Sequence, residues 1–141
     1  MKKSILSICL IFIINSCVSQ RIIFSPIGDM DKPLPRFEIS ANPNDSGENA
    51  YYLSTEAFNL LNNNIKIHLN NCDSLVTDTV RRFWHSASYG SYEIIISTKR
   101  DNKVYFLDSY KKSHLFFEEQ LPIFKENNDL YVSITILLNR L

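Results

Sequence analysis

Several common sources of structure and binding are scarce in this sequence of 141 residues. Three cysteines are too few for the disulfide framework that stabilises many small exported domains. Three glycines and five prolines exclude collagen-like repeats and low-complexity chains rich in these residues. Fifteen basic and fifteen acidic side chains cancel, so no nucleic acid or other polyanion is expected as a partner.

The remaining composition is typical of one small globular domain. Apolar residues make up 45% of the chain and charged residues 21%, close to the average of globular proteins. A chain of this length is sufficient for one domain but not for two.

The N-terminus has the pattern of an export signal. Lys2 and Lys3 follow Met1, and residues 5–14 then form an apolar run of ten residues. A membrane-spanning helix needs about 20 apolar residues, so this run is too short to cross a bilayer. A basic start before a short apolar run indicates a signal peptide, which we assign to residues 1–16.

The apolar run ends in Ile14-Asn15-Ser16-Cys17, which resembles the lipobox of bacterial lipoproteins. Ile14, Ser16 and Cys17 match that motif, whereas Asn15 departs from the Ser, Ala, Thr or Val that is usual there. The resemblance implies that Cys17 becomes the new N-terminus, carries acyl chains such as palmitate, and anchors the protein to a membrane of the bacterial cell envelope. The departure leaves open a plain secretory signal cut after Ser19, which would release a soluble secreted or periplasmic protein.

One thiol would remain in the mature lipoprotein. Cleavage before Cys17 removes Cys9, and the lipid occupies the Cys17 sulfur, which leaves Cys72. No intrachain disulfide is then expected, and Cys72 is interpreted as a small apolar residue rather than a reactive one.

Residues 17–49 are predicted to form a lipid-anchored tether. Four of the five prolines lie in this segment, and residues 42–49 hold no apolar side chain except proline. Such turn-forming residues have little surface to bury. Within the tether, residues 22–24 and 37–39 are expected to dock as short edge strands.

Residues 50–141 are predicted to form a single α+β domain, with a small antiparallel sheet packed by three or four helices. Its clearest element is a β-hairpin at about 92–108. Two apolar and β-branched runs there flank the turn-like Arg100-Asp101-Asn102, and the charged turn should be exposed.

Helices are predicted where apolar residues recur at three- and four-residue spacing. Ser54 should cap the first helix, which continues to about Asn70. Ser113 should open the next helical stretch, which Pro122 should kink or split because proline lacks the amide donor.

Two segments fit either helix or strand. Residues 65–84 hold alternating apolar residues and β-branched Val and Thr, which favour a strand, yet they also fit a helix face. Residues 130–141 show both periodicities after the cap-forming Asn127-Asn128-Asp129. Helix is favoured in both, and for residues 130–141 the reason is that twelve residues are long for a strand.

Arg81, Arg82, Trp84 and Tyr89 are the candidate partner-binding residues. Arg, Trp and Tyr dominate the energetics of binding surfaces, and arginine pairs suit carboxylate or phosphate groups. The alternative is an ordinary helix end with Trp84 in the core and both arginines in water.

No catalytic set or metal site is recognisable, so neither a cofactor nor a metal is expected. His85 has serines nearby, but acyl transfer also needs an oriented third group, and Gly90 is not part of a Gly-x-Ser-x-Gly motif. His68 and Cys72 are four residues apart, whereas a zinc site needs at least three protein ligands.

These observations favour a non-enzymatic, lipid-anchored envelope protein that binds an envelope protein or a glycan. An immunity- or inhibitor-type lipoprotein that neutralises a toxin or hydrolase fits equally well. A small envelope hydrolase is the third alternative, and it requires His85 in a cleft beside a carboxylate.

Two short motifs have a further interpretation. Asp73-Ser74-Leu75 and Asp78-Thr79-Val80 resemble the acceptor for O-glycosylation in exported proteins of one bacterial phylum. Helix capping explains the same residues, so both interpretations stay open.

Overall fold

A computed structural model describes residues 20–27, 33–44, 47, 49–69 and 89–141. This part of the chain forms five strands, which are β1 (Arg21–Ile27), β2 (Phe37–Ser40), β3 (Ala50–Tyr52), β4 (Ser91–Ser97) and β5 (Asn102–Leu107). It also forms three helices, which are α1 (Thr55–His68), α2 (Tyr110–Phe124) and α3 (Asn128–Arg140). The predicted α+β class is confirmed.

The strands form one sheet in the order β3-β2-β1-β4-β5. β1 pairs antiparallel with β2 and β4, β4 pairs antiparallel with β5, and β3 lies parallel to β2 at one edge. Ile22 of β1 is opposite Ile39 on one side and Ile96 on the other. Because neighbouring residues of a strand point to opposite faces, this register places the apolar side chains of three strands on the same face.

The helices pack on that apolar face and complete a continuous core. Phe24 of β1 stacks on Phe37 of β2 with ring centroids 4.7 Å apart. Phe117 of α2 contacts Phe24 at 5.5 Å and meets the ring of Tyr92 edge-on at 5.2 Å. Aromatic pairs in these arrangements add to the free energy gained by burial, so this cluster joins the sheet to α2.

The predicted edge position of residues 22–24 and 37–39 is wrong. β1 is the central strand of the five, β2 is covered by β3, and both Ile22 and Phe24 are fully buried. The neighbouring prolines favoured a tether over a strand in the sequence analysis. The alternating apolar side chains of these segments are nevertheless buried, because the segments pair with other strands. The folded unit therefore includes β1 and β2, which precede the predicted domain start at residue 50.

The local predictions for the elements are largely confirmed. The hairpin at about 92–108 is β4 and β5, and its turn is exposed. Ser54 caps α1 by accepting a hydrogen bond from the Ala57 amide at 3.2 Å. Residues 65–68 and 130–140 are helical, as favoured, whereas residues 70–84 lie outside the described residues.

The prediction for α2 was wrong about its start, and the split that was one of the two predicted effects of Pro122 is not observed. The helix begins at Tyr110, because Ser109 and not Ser113 accepts the capping bond from the Lys112 amide. Pro122 neither splits nor ends the helix, which continues to Phe124. Pro122 lies in the last turn of the helix. Its missing amide removes one helical hydrogen bond there, and only two helical residues follow it.

The start of β4 is fixed against the first turns of α2. The fully buried Ser113 hydroxyl donates a hydrogen bond to the Gly90 carbonyl. Gly90 has a φ of +87°, and a Cβ placed there would lie 2.7 Å from the Tyr110 Cα. A position with positive φ and a backbone neighbour this close requires glycine.

The opposite face of the sheet carries a half-buried carboxylate. Glu93 of β4 lies between Ser25 of β1 and Phe106 of β5, and the next row across these strands is Ile23, Ile95 and Val104. Burial disfavours the charged form and raises the pKa of Glu93 above its ordinary value of 4.5. None of the ion pairs between described residues involves Glu93.

We expect Gly90→Ala to lower the free energy of unfolding by about 2 kcal/mol or more, since it adds both strain at positive φ and a backbone clash. Urea denaturation measures this change. Gly47→Ala is the control, because a Cβ there would make only ordinary contacts, the nearest at 3.6 Å. Equal stabilities for the two variants would contradict the close packing of Gly90 on α2.

We expect Glu93→Gln to raise stability at neutral pH and to flatten its pH dependence. Between pH 4.5 and the higher pKa of folded Glu93, the folded state holds more protons than the unfolded state. The free energy of unfolding therefore falls as pH rises through this window, and glutamine removes that fall. Thermal unfolding from about pH 4 to about pH 8 tests this, and parallel curves for wild type and variant would refute it.

Candidate functional site

The structure describes one of the four predicted partner-binding residues. Tyr89 precedes β4, and its phenol donates a hydrogen bond to the Arg140 backbone carbonyl at 3.2 Å. Outside the described residues lie Cys17, Cys72, Arg81, Arg82, Trp84, His85 and both proposed glycosylation motifs. The predicted partner-binding surface therefore stays a prediction. Tyr89, the one of its four residues that the structure describes, contacts the end of α3.

A half-open groove of about 230 Å³ lies between α3 and the β2–β3 edge of the sheet. Buried Phe37, Ile134 and Leu137 form its apolar part, and Ile136 is 57% exposed at its rim. Ser133, Ile136, Leu137 and Arg140 recur at three- and four-residue spacing, which places them on one face of α3. The remaining lining residues are Pro35, Asn49 and Tyr51.

Hydrogen bonds fix the polar side of the groove. The Tyr51 hydroxyl lies 2.9 Å from the Ser133 Oγ and joins β3 to α3. Asn49 donates through Nδ2 to the Arg36 carbonyl at 3.1 Å, and its φ of 54° is in the left-handed region. Asparagine tolerates that region better than most residues, so Asn49 turns the chain into β3 beside the groove.

Arg140 gives the groove a positive charge. Its guanidinium donates to the Pro33 carbonyl at 2.6 Å, and the side chain is exposed. No carboxylate of the described residues lies within ion-pair distance of Arg140, whereas Arg36 pairs with Glu38 at 2.9 Å. No acidic residue is among those that line the groove, so Arg140 keeps donors available for an anion.

Tyr92 supports the groove from within the core. Its hydroxyl donates to the Pro35 carbonyl at 2.8 Å, which fixes one wall. Burial raises the pKa of Tyr92 well above its ordinary value, although nearby Arg140 opposes this shift. The phenol therefore stays protonated at physiological pH and acts as a structural donor.

A second, smaller hollow of about 200 Å³ lies along α2. His114 and Glu118 line it, with Nδ1 of the histidine 3.6 Å from Oε2 of the glutamate. Within the described ranges, no group of three or more His, Cys, Asp or Glu side chains could hold a metal ion. His68 ends α1, and its suggested neighbour Cys72 is outside those ranges.

The groove was missed by sequence reasoning, because its residues meet only through tertiary packing. Asn49 and Arg140 are far apart in the sequence, and their proximity depends on the parallel pairing of β3 with β2. One local signal was available: Arg140 follows the apolar Leu137 by three residues, which places a cation beside the buried face of a helix.

Comparisons with protein-family models, with curated proteins and with solved structures give no significant match. No helix in the described part of the chain has both the length and the apolar character needed to span a bilayer. The function must therefore be inferred from the residues of this chain.

Proposed function

We propose that the chain is a lipid-anchored cell-envelope protein whose domain is a non-enzymatic binding module. The observation that carries the proposal is the groove, in which an apolar floor, a fixed polar side and the Arg140 guanidinium converge. Cavities of this composition, with few polar groups placed among apolar ones, are typical of binding sites.

The size of the groove favours part of a protein over a whole small molecule. Pockets for drug-sized ligands have volumes of about 300–1,000 Å³. The groove, at about 230 Å³, suits one anchoring side chain and the chain segment that carries it. The apolar floor favours an aliphatic or aromatic anchor, and Arg140 favours a carboxylate beside it. A segment of an envelope protein with this chemistry fits better than a glycan.

The polar groups of the groove favour binding over catalysis. The Ser133 hydroxyl is the potential nucleophile among the groups that line the groove. Its hydrogen-bond partner is the Tyr51 phenol. Hydroxyl nucleophiles are activated by groups such as histidine or a carboxylate, and none of the described residues that line the groove is of that kind. Tyr51 and Ser133 therefore serve to position a ligand.

The anchor is proposed from the lipobox-like Ile14-Asn15-Ser16-Cys17. β1 begins at Arg21, four residues after Cys17, so the predicted long tether is not available between the lipid and the sheet. Four residues span at most about 14 Å, which would hold the folded domain close to the bilayer. Several acyl chains on one cysteine provide stable anchoring, which a single chain does not.

We expect the protein expressed in a bacterium to have the intact mass of residues 17–141 plus several acyl chains. Cys17→Ala should abolish this mass, because the alanine has no sulfur to carry lipid. An unacylated mass beginning near Gln20 would contradict the anchor and would favour a soluble secreted protein.

We expect a photoreactive Ile136→benzoylphenylalanine variant to cross-link a protein in the cell envelope, since this exposed residue borders the groove. Leu60, 53% exposed on α1 and outside the groove, is the matched control position and should give no such adduct. Arg140→Gln should reduce the adduct about tenfold, the effect of losing a charge-assisted hydrogen bond.

Arg36→Gln controls for the loss of one positive charge, because Arg36 pairs with Glu38 and does not line the groove. Equal adducts from positions 136 and 60, or none from 136, would refute the proposed site. Mass spectrometry of the adduct separates a resident envelope protein from a toxin or hydrolase, the target of an immunity-type lipoprotein.

A further inference from the structure

The two ends of the sheet differ in their distance from the proposed anchor. Arg21, the first residue of β1, is opposite Ser97 at the end of β4, whereas Ile27 is opposite Ser91. The β4–β5 turn follows Ser97 directly, so it lies at the end of the sheet where β1 begins, and Cys17 precedes β1 by four residues in the sequence. Each residue of a strand advances by about 3.3 Å, so the seven-residue β1 separates the two ends by about 20 Å.

The β4–β5 turn is an ordered and basic projection. The Thr98 hydroxyl accepts hydrogen bonds from the amides of Arg100 and Asp101, at 3.2 and 3.1 Å. Lys99 and Arg100 are exposed at the tip of this turn. No ion pair between described residues includes either side chain, while the Asp101 carboxylate accepts a hydrogen bond from Thr98.

The groove lies toward the other end of the sheet. Tyr89, which precedes Ser91, donates to the carbonyl of Arg140, the residue that supplies the positive charge of the groove. The basic turn and Arg140 are therefore associated with opposite ends of the central strand.

We propose that Lys99 and Arg100 form a membrane-contact surface for the anionic headgroups of the bilayer that holds the lipid anchor, which directs the groove away from the membrane. The inference rests on the proposed lipidation of Cys17. The covalent link from Cys17 to Arg21 is at most about 14 Å, so the turn stays near the headgroups. Basic residues held this close to an anionic surface are attracted to it within about 8 Å at physiological ionic strength.

Paramagnetic broadening tests this orientation on the complete lipidated protein. Isotope-labelled protein is purified from bacterial membranes and placed in vesicles of phosphatidylcholine and phosphatidylglycerol that contain a headgroup nitroxide. The amide signals of Arg100 and Asp101 should be broadened at least about twofold more than those of Tyr89 and Gly90. Vesicles of phosphatidylcholine alone, or salt at about 1 M, should reduce this difference because the attraction is electrostatic.

A charge-matched pair of variants separates the turn from the total charge. Lys99→Gln with Arg100→Gln should reduce the selective broadening to the level that the short anchor alone produces, and an unchanged difference would overturn the role of these two side chains. Lys111→Gln with Lys112→Gln removes two exposed charges from the start of α2. This helix follows β5, which ends at the end of the sheet opposite to the β4–β5 turn, so this variant should leave the broadening unchanged. An acylated, vesicle-bound protein with equal broadening at both ends overturns this inference alone. A protein without acyl chains overturns both the anchor and the inference.

Discussion

The pairing of β1 with two neighbours is the constraint on which the remaining structure depends. Removal of β1 would leave β2–β3 and β4–β5 as separate pairs of strands, and a two-stranded pair is marginal in water. β1 also supplies Ile22 and Phe24, which are fully buried, and Phe24 contacts both Phe37 and Phe117. β1 is therefore an integral part of the core, and its side chains connect the sheet to the helices.

This position of β1 changes how an N-terminal anchor would act. A long flexible tether lets a domain sample many orientations, whereas a link of four residues restricts both its distance and its tilt. In the proposed arrangement, the end of β1 near Arg21 faces the bilayer and α3 presents its Arg140 end toward the envelope space. The fold would then act as a short rigid spacer for the groove.

Local periodicity was sufficient to predict the elements whose signals are contained within one segment. α1 and the β4–β5 hairpin follow from the spacing of their apolar residues and from caps such as Ser54, whereas α3 fits both periodicities and was favoured by its length. The start of α2 was missed because Ser109 and Ser113 are both plausible caps, and burial of Ser113 against Gly90 decides between them.

The central place of β1 and the composition of the groove could not be predicted in the same way. Both depend on which strands pair, and a short apolar run such as residues 22–24 carries no information about its neighbours. The groove further requires Asn49 and Arg140 to meet across β3 and α3. Such contacts are set by the tertiary arrangement, whereas propensity and capping act within a few residues of the chain.

The balance of charge over the whole chain also conceals its local distribution. Glu38 lies within ion-pair distance of Arg21 and Arg36, at 3.7 and 2.9 Å, and Asp108 pairs with Lys112. These contacts compensate basic groups along the body of the domain. Arg140, Lys99 and Arg100 have no such partner among the described residues, so positive charge remains at the groove and at the β4–β5 turn. A net charge of zero argues against a long polyanion as the partner, but it leaves room for two separate anionic contacts, each recognised by one or two side chains.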